Sequence, residues 1–241
     1  MNIAVLSDIH GNLEAFEAVL RDLEDTRPDR VVCLGDAVGY GPDPEAVVRR
    51  LQSLRIPCVM GNHEWALMNP DYLEWFNPSA RQSLELTREL LSPQGFRTVT
   101  AWPTTLHVEG ALCVHGCPPQ SVTRYLFEVV VEELPHLFSL YENPLCFVGH
   151  THQLLWVRWD GNQGRIHRFR SDALHLQPSA RYIVNVGSVG QPRDGDNRAK
   201  YVIWNTESST IVVRRVAYDI AKTVQKILAL GFPRINADRL W

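Results

Sequence analysis

Asp8 and His10 stand two residues apart, after the apolar run Ile3-Ala4-Val5-Leu6 and Ser7, and before Gly11-Asn12. A carboxylate and an imidazole at that spacing on a turn can converge on one point and bind a divalent cation. Alone, the pair would suit a solvated loop equally well. Four more apolar runs, however, end in residues of the same kind. Residues 30–34 lead into Gly35-Asp36, 56–60 into Gly61-Asn62-His63-Glu64, 111–114 into His115-Gly116, and 145–148 into Gly149-His150-Thr151-His152. Ligands of open α/β sheets gather beyond the carboxyl ends of the strands, so the five endings are expected to share one site. Two Asp carboxylates, an amide oxygen and several imidazoles suffice for two ions and suit manganese first, with iron, zinc, cobalt or nickel as alternatives. With two ions about 3.5–4 Å apart, one carboxylate must bridge, and such a site can hold a hydroxide while clamping a phosphoryl group. The expected chemistry is hydrolysis of phosphate esters.

These residues need strand-to-helix turns to carry them. Leu13, Phe16, Val19, Leu20 and Leu23 fall on one helical face after the first run, with Gly11 to relax the turn and Asn12 to cap the helix. Val47, Val48, Leu51 and Leu54 repeat the pattern after the Gly/Pro loop 37–44. Residues 56–60 read as a third strand. Around 65–109 the texture changes to an inserted helical segment, including a helix over 83–91. Most of its aromatic residues are assigned to packing rather than to a nucleobase-stacking surface. Residues 127–140 read as a helix interrupted at Pro135. Further on, 155–160 pairs with 165–170 across 161–164, and 201–205 with 210–215, with another strand at 182–186. A last helix over 219–230 stops at Gly231 with Pro233 beyond.

The totals bound the answer. At 241 residues, 45% apolar and 21% charged, the chain is expected to fold as one α/β domain, 1–241, with no disordered segment. A net charge of -3 and a pI near 6.3 give no basic footprint for duplex nucleic acid. No apolar span approaches the roughly 20 residues a membrane helix needs, and the first apolar run is too short and lacks the basic flank of a signal peptide. Cysteines number five, and Cys33, Cys58, Cys113 and Cys146 lie inside apolar runs, which points to a reducing cytoplasm. Cys117 lies in a loop two residues from His115, but nothing nearby makes a thiolate and a hydroxide already supplies the nucleophile. It is assigned no catalytic role.

In this order and roughly this spacing, Asp8-x-His10, Gly35-Asp36, Gly61-Asn62-His63-Glu64, His115-Gly116 and Gly149-His150-x-His152 resemble the motifs of the calcineurin-like metallophosphoesterases. The stretch 185–193 and the closing helix resemble the bacterial and archaeal phosphodiesterase-like branch. The resemblance implies an α/β, four-layer sandwich of two facing mixed β-sheets flanked by helices. It implies that Asp8, His10, Asp36 and His152 hold one metal ion and Asp36, Asn62, His115 and His150 the other, with Asp36 bridging. His63 matches the residue that stays off the metals and protonates or stabilises the leaving oxygen.

One element departs from the pattern. Where the protein Ser/Thr phosphatases and symmetrical dinucleotide tetraphosphatases carry Asp-Arg-Gly, this chain has Gly39-Tyr40-Gly41, without the phosphate-gripping arginine. A small phosphodiester or nucleotide is therefore the expected substrate. A phosphomonoesterase with the same machinery is the alternative, and a binding scaffold the third reading, disfavoured because every expected ligand is present. Arg193 offers a planar fork for phosphate, in a loop where Gly187 and Gly190 let backbone N–H groups approach an anion; it would otherwise pin the turn through Asp194 or Asp196. Neither oligomeric state nor substrate identity is written in these motifs.

Overall fold

The computed structural model describes residues 1–169 and 171–241; Arg170, the expected end of one hairpin strand, lies outside the described residues. Six strands precede residue 160: β1 (Asn2–Leu6), β2 (Arg30–Cys33), β3 (Thr105–Val108), β4 (Ala111–Val114), β5 (Leu145–Val148) and β6 (Leu154–Trp159). Five follow: β7 (Gly164–Arg168), β8 (Ala173–His175), β9 (Arg181–Val186), β10 (Ala199–Asn205) and β11 (Thr210–Val216). They form two mixed sheets, ordered β2-β1-β10-β11-β8 and β3-β4-β5-β9-β6-β7.

The alternation of side chains along each strand builds the layers. Ile3 and Val5 of β1 pack with Leu145 and Phe147 of β5 and with Val202 and Trp204 of β10 in the core between the sheets. Ala4 and Leu6 face the other way, onto Phe16, Val19 and Leu23 of α1 (Leu13–Thr26) and Val47 and Leu51 of α2 (Pro44–Ser53). Cys146 and Val148 likewise face Leu134, Leu137 and Phe138 on the outside of the second sheet. The result is the four-layer α/β sandwich.

Residues 62–100 hold four helices: α3 (Asn62–Met68), α4 (Pro70–Leu73), α5 (Pro78–Leu90) and α6 (Pro93–Thr100). The remainder of the stretch read as helical contains β3, a strand on the edge of the second sheet. Two other readings differ from the structure. Residues 56–60 are extended but meet β2 only through one bridge, Cys33 to Cys58, because Pro57 has no N–H to offer a ladder. Residues 127–140 are not one helix. Two short 3-10 turns, Leu126–Glu128 and Val131–Glu133, lead into α7 (Leu134–Ser139), and Pro135 lies in the first turn of α7, where its missing N–H costs nothing. The chain closes with α8 (Ile220–Ala229), capped by Asp219, and α9 (Arg234–Asp238), whose Ala237 packs with Ile227 of α8 and with the flanking Phe232 and Leu240. No helix among the described residues is long and apolar enough to cross a membrane.

β1 runs parallel to β2, and β4, β5 and β9 run parallel to one another, so the loops after these strands leave from shared sheet ends. The pairing continues past the strands. Asp8 N donates to Gly35 O, His10 N to Asp36 O and Gly11 N to Ala37 O, at 2.8–3.1 Å, while Gly149 N donates to His115 O and Gly190 N to Asp8 O. His150 N donates to the Asp8 carboxylate, and the Glu64 carboxylate accepts from both Asp36 N and Gly61 N, so the five motif loops are tied into one body.

Candidate metal centre

The turns that carry the motif residues are strained. Of the ten non-glycine residues with positive φ among those described, five are Asp8, His10, Asp36, His150 and His152. Each costs of order 1–3 kcal/mol, and such outliers persist where the surrounding structure over-determines them. Here the loop-to-loop hydrogen bonds do so, and the strain aims five side chains at one point.

That point has two lobes. Donor atoms of Asp8, His10, Asp36 and His152 lie within 4.8 Å of one another, as do those of Asp36, His115 and His150, so Asp36 belongs to both groups. Asp36 Oδ2 is 3.6 Å from His10 Nε2 and 3.3 Å from His115 Nε2. His152 Nε2 is 3.3 Å from Asp8 Oδ1, and Asn62 Oδ1 is 3.1 Å from His115 Nε2. All of these side chains are buried.

The outer nitrogens fix the tautomers. His10 Nδ1 meets Val38 O at 3.0 Å, His115 Nδ1 meets Leu34 O at 2.7 Å, His152 Nδ1 meets Gln191 O at 2.6 Å, and His150 Nε2 meets Thr123 O at 3.1 Å. A carbonyl accepts only, so each outer nitrogen carries the proton and turns the other nitrogen inward. His10 Nε2 and His152 Nε2 then confront each other at 3.1 Å. Burial holds both rings neutral, below the usual imidazole range. Two lone pairs face one another with no proton between them. Two nitrogens each about 2.1 Å from one cation at a right angle would sit about 3 Å apart, so this pair is spaced for a metal ion.

With protein groups alone, the charge balance is poor. Burial pushes the Asp8 carboxyl up to about 7, with His115 opposing. For Asp36, burial works upward but is outweighed by His115, His63 and His10, which hold it well below the carboxylate range. Burial disfavours the charged form of His115 too, yet the Asp36 and Asp8 carboxylates raise it to about 10. A proton on His115 thus occupies the place a cation would take, and binding an ion there must expel it. His150 lies opposite at 3.2 Å and is lowered to about 3 by burial and by His115. Donor set, spacing and tautomers all fit divalent metal ions.

Two contributors were not recognised in the sequence as supports of the site. The buried Glu64 carboxylate accepts from Asp36 N, Ala37 N, Val38 N and Gly61 N at 2.8–3.3 Å, tying the Asp36 loop to the Asn62-His63 turn. Burial and Asp36 push its carboxyl up to about 7, while these donors favour the carboxylate. Its signal was present, since it is the third residue of α3, the capping-box position. Asn185, at the end of β9, donates to Gly149 O and Thr151 Oγ1 and steadies the His150–His152 turn; the resemblance marked its stretch but not this role. Glu64→Gln would aim an NH2 group at N–H donors. It should lower unfolding free energy by about 2–4 kcal/mol in urea titrations; an unchanged midpoint would contradict this role.

His63 does not reach into either lobe. Its Nε2 is 3.9 Å from Asp36 Oδ2, its ring packs on Tyr40, Phe76 and His10, and burial lowers it to about 4. Gly39 makes this possible. A Cβ there would stand 2.0 Å from His63 Nδ1, and φ at Gly39 is +88°. The departure at Gly39-Tyr40-Gly41 therefore makes room for His63 and sets the Tyr40 ring beside it.

A cavity of about 140 Å³ opens onto the cluster and is walled in part by Asp36, Asn62, His63, Tyr40 and Arg193. A larger one, about 740 Å³ between the β2 and β3 edges, contains none of the motif residues. Arg193 Nη2 donates to Gln191 Oε1 at 2.8 Å, and its guanidinium lies 5.6 Å from the Tyr40 ring centre. Lys200 takes Asp194 at 2.9 Å and Arg198 takes Asp196 at 2.6 Å, so these acids have other partners. The backbone N–H groups of this loop are also engaged, Gly187 with Asn185 Oδ1, Val189 with Ser7 O, Gly190 with Asp8 O, Gln191 with Ser188 Oγ and Arg193 with His152 O, which leaves none of these five for the anion they were expected to approach. Cys117 is buried, and burial pushes its thiol up to about 11.

Two facing mixed sheets with a buried Asp/His cluster beyond their strand ends define a metallophosphoesterase. The chain belongs to the calcineurin-like phosphoesterase superfamily, whose domain matches residues 1–209. An uncharacterised protein of Methanocaldococcus jannaschii is 32% identical over 99% of this chain and 97% of its own length. The crystal structure of a metallophosphoesterase from Sphaerobacter thermophilus is 36% identical, covers 100% of this chain and 98% of its own, and superposes with a TM-score of 0.85. A symmetrical bis(5'-nucleosyl)-tetraphosphatase of Pseudomonas putida is 29% identical over 48% of this chain and 42% of its own length.

Proposed function

We propose that this chain is a dinuclear metal-dependent phosphodiesterase of the cytoplasm, acting on small phosphodiesters or nucleotides. The observation that carries the reading is the His10–His152 pair, two neutral imidazoles with inward lone pairs 3.1 Å apart beside two buried carboxylates. Asp8, His10, Asp36 and His152 would hold one ion, and Asp36, Asn62, His115 and His150 the other, manganese being the first choice. When bound, two such ions polarise the phosphoryl group and lower the pKa of water.

The remaining work falls to the chain. Asp36, reaching both lobes, sets their separation. Backbone carbonyls of Leu34, Val38, Thr123 and Gln191 orient the four imidazoles. His63, at the edge of the cluster and off both ligand groups, would hold the proton for the leaving oxygen. Five unpaired, buried thiols support a reducing compartment.

The partial match to symmetrical tetraphosphatases supports nucleotides as a substrate class, while Gly39-Tyr40-Gly41 argues against those enzymes' own substrate. A metal-by-substrate matrix tests the reading. Bis-p-nitrophenyl phosphate should be cleaved faster than p-nitrophenyl phosphate; the reverse order would make the protein a phosphomonoesterase. Arg193 is assigned to the substrate phosphate, because its guanidinium borders the cavity and its neighbouring acids are paired elsewhere. Arg193→Ala should raise KM about ten-fold or more with metal content and Tm unchanged. A fall in Tm with equal losses on all substrates would make it a structural residue.

A further inference from the structure

The cavity over the metal cluster is small. About 140 Å³ is below the roughly 300–1,000 Å³ of pockets that enclose a whole organic ligand, so it admits the phosphoryl group and leaves the rest of the substrate at the rim. That rim is aromatic. Trp75, in the connection between α4 and α5, lines the cavity and is 85% exposed, although tryptophan is on average a well-buried residue. Its neighbours Tyr72 and Phe76 pack into the helical segment with Leu84 and Val99; Trp75 does not. From a separate segment, Tyr125 lines the same cavity. Its ring stacks on that of His150 at 3.7 Å and 10°, and on that of Phe127 at 4.6 Å and 15°, with Phe127 itself 65% exposed.

We infer that the exposed ring of Trp75, with Phe127 at the outer end of the His150–Tyr125–Phe127 stack, forms a stacking platform for the base of a nucleoside esterified to the phosphate held at the metal cluster. This rests on the phosphoesterase reading above and narrows its substrate class to nucleoside-bearing phosphodiesters. The flat faces suit a planar π system and select no particular base, because every nucleobase has one. The stack runs from a candidate metal ligand outward, so a phosphate on the cluster and a base on the rim belong to one substrate.

The test compares thymidine 5'-p-nitrophenyl phosphate with methyl p-nitrophenyl phosphate, which share the leaving group and differ only in the retained alcohol. The wild-type protein should favour the nucleoside ester in kcat/KM by roughly ten-fold or more, the scale of one stacked base. Trp75→Ala should reduce that preference by about the same factor, and Trp75→Tyr should keep most of it. A wild-type ratio near one, or a ratio untouched in Trp75→Ala, overturns the platform while leaving the phosphoesterase reading intact. Should neither ester be hydrolysed, that reading fails, and binding still decides the platform. Titration with AMP should quench tryptophan fluorescence in the wild type but not in Trp75→Tyr, and ribose 5-phosphate should quench neither. Equal responses to the two phosphates, or quenching that survives in Trp75→Tyr, overturns it.

Discussion

Asp36→Asn is expected to empty both lobes of the centre and lower kcat by at least about 10³-fold. Among the described residues Asp36 is the one side chain shared by both ligand groups, its Oδ2 lying 3.6 Å from His10 Nε2 on one side and 3.3 Å from His115 Nε2 on the other. Asparagine keeps the shape but replaces one oxygen with an NH2 group, which cannot ligate a cation and carries no charge. Its backbone would be retained by Glu64, and its Oδ1 would still accept from His63 N, so the fold should survive. Asn62→Ala is the informative partner, since Asn62 touches only the His115 side and should cost one ion rather than two. Metal content and kcat measured on both variants check this. Equal metal loss in the two would remove the bridging role from Asp36.

His63→Ala is expected to keep both ions and lower kcat roughly 10²-fold for esters with poor leaving groups, the scale of general acid catalysis. With p-nitrophenolate, which departs without a proton, the loss should be much smaller. The structural basis is the place of His63 at the edge of the lobes, with Nε2 on the cluster side and Nδ1 buried against Gly39 without a partner. A plot of log kcat against leaving-group pKa should steepen in the variant. Equal losses across the series would mean that His63 organises the site instead.

The residues that gather at the centre were legible because each follows an apolar run whose strand had nowhere else to end. Asp8, Asp36, His115 and His150 came from that pattern alone, and the sandwich from the resemblance. What was hidden depends on partners far along the chain. Glu64 takes its meaning from N–H groups at Asp36, Ala37 and Val38, and Asn185 from the carbonyl of Gly149. β3 and β8 are short edge strands whose Thr105, His107, Ala173 and His175 are at most half-buried, so neither shows the continuous apolar run that marked β4 and β5. The failure at 127–140 has a different cause. Phe127, Val130 and Val131 are apolar but exposed, so the apolar pattern there does not report a buried helix face. The aromatic residues at 72–76 divided in the same way, two serving the core and Trp75 left at the surface.

The central claim is that the cluster holds two metal ions and that catalysis depends on them. Metal content and phosphodiesterase activity should be measured on the same samples, first after exhaustive chelation and then through a Mn²⁺ titration. The account predicts an inactive chelated protein, with activity rising to a plateau as two ions per chain are bound, and with protons released on binding because His115 must give one up. Full activity in a demonstrably metal-free sample, or a plateau at one ion per chain, would contradict it.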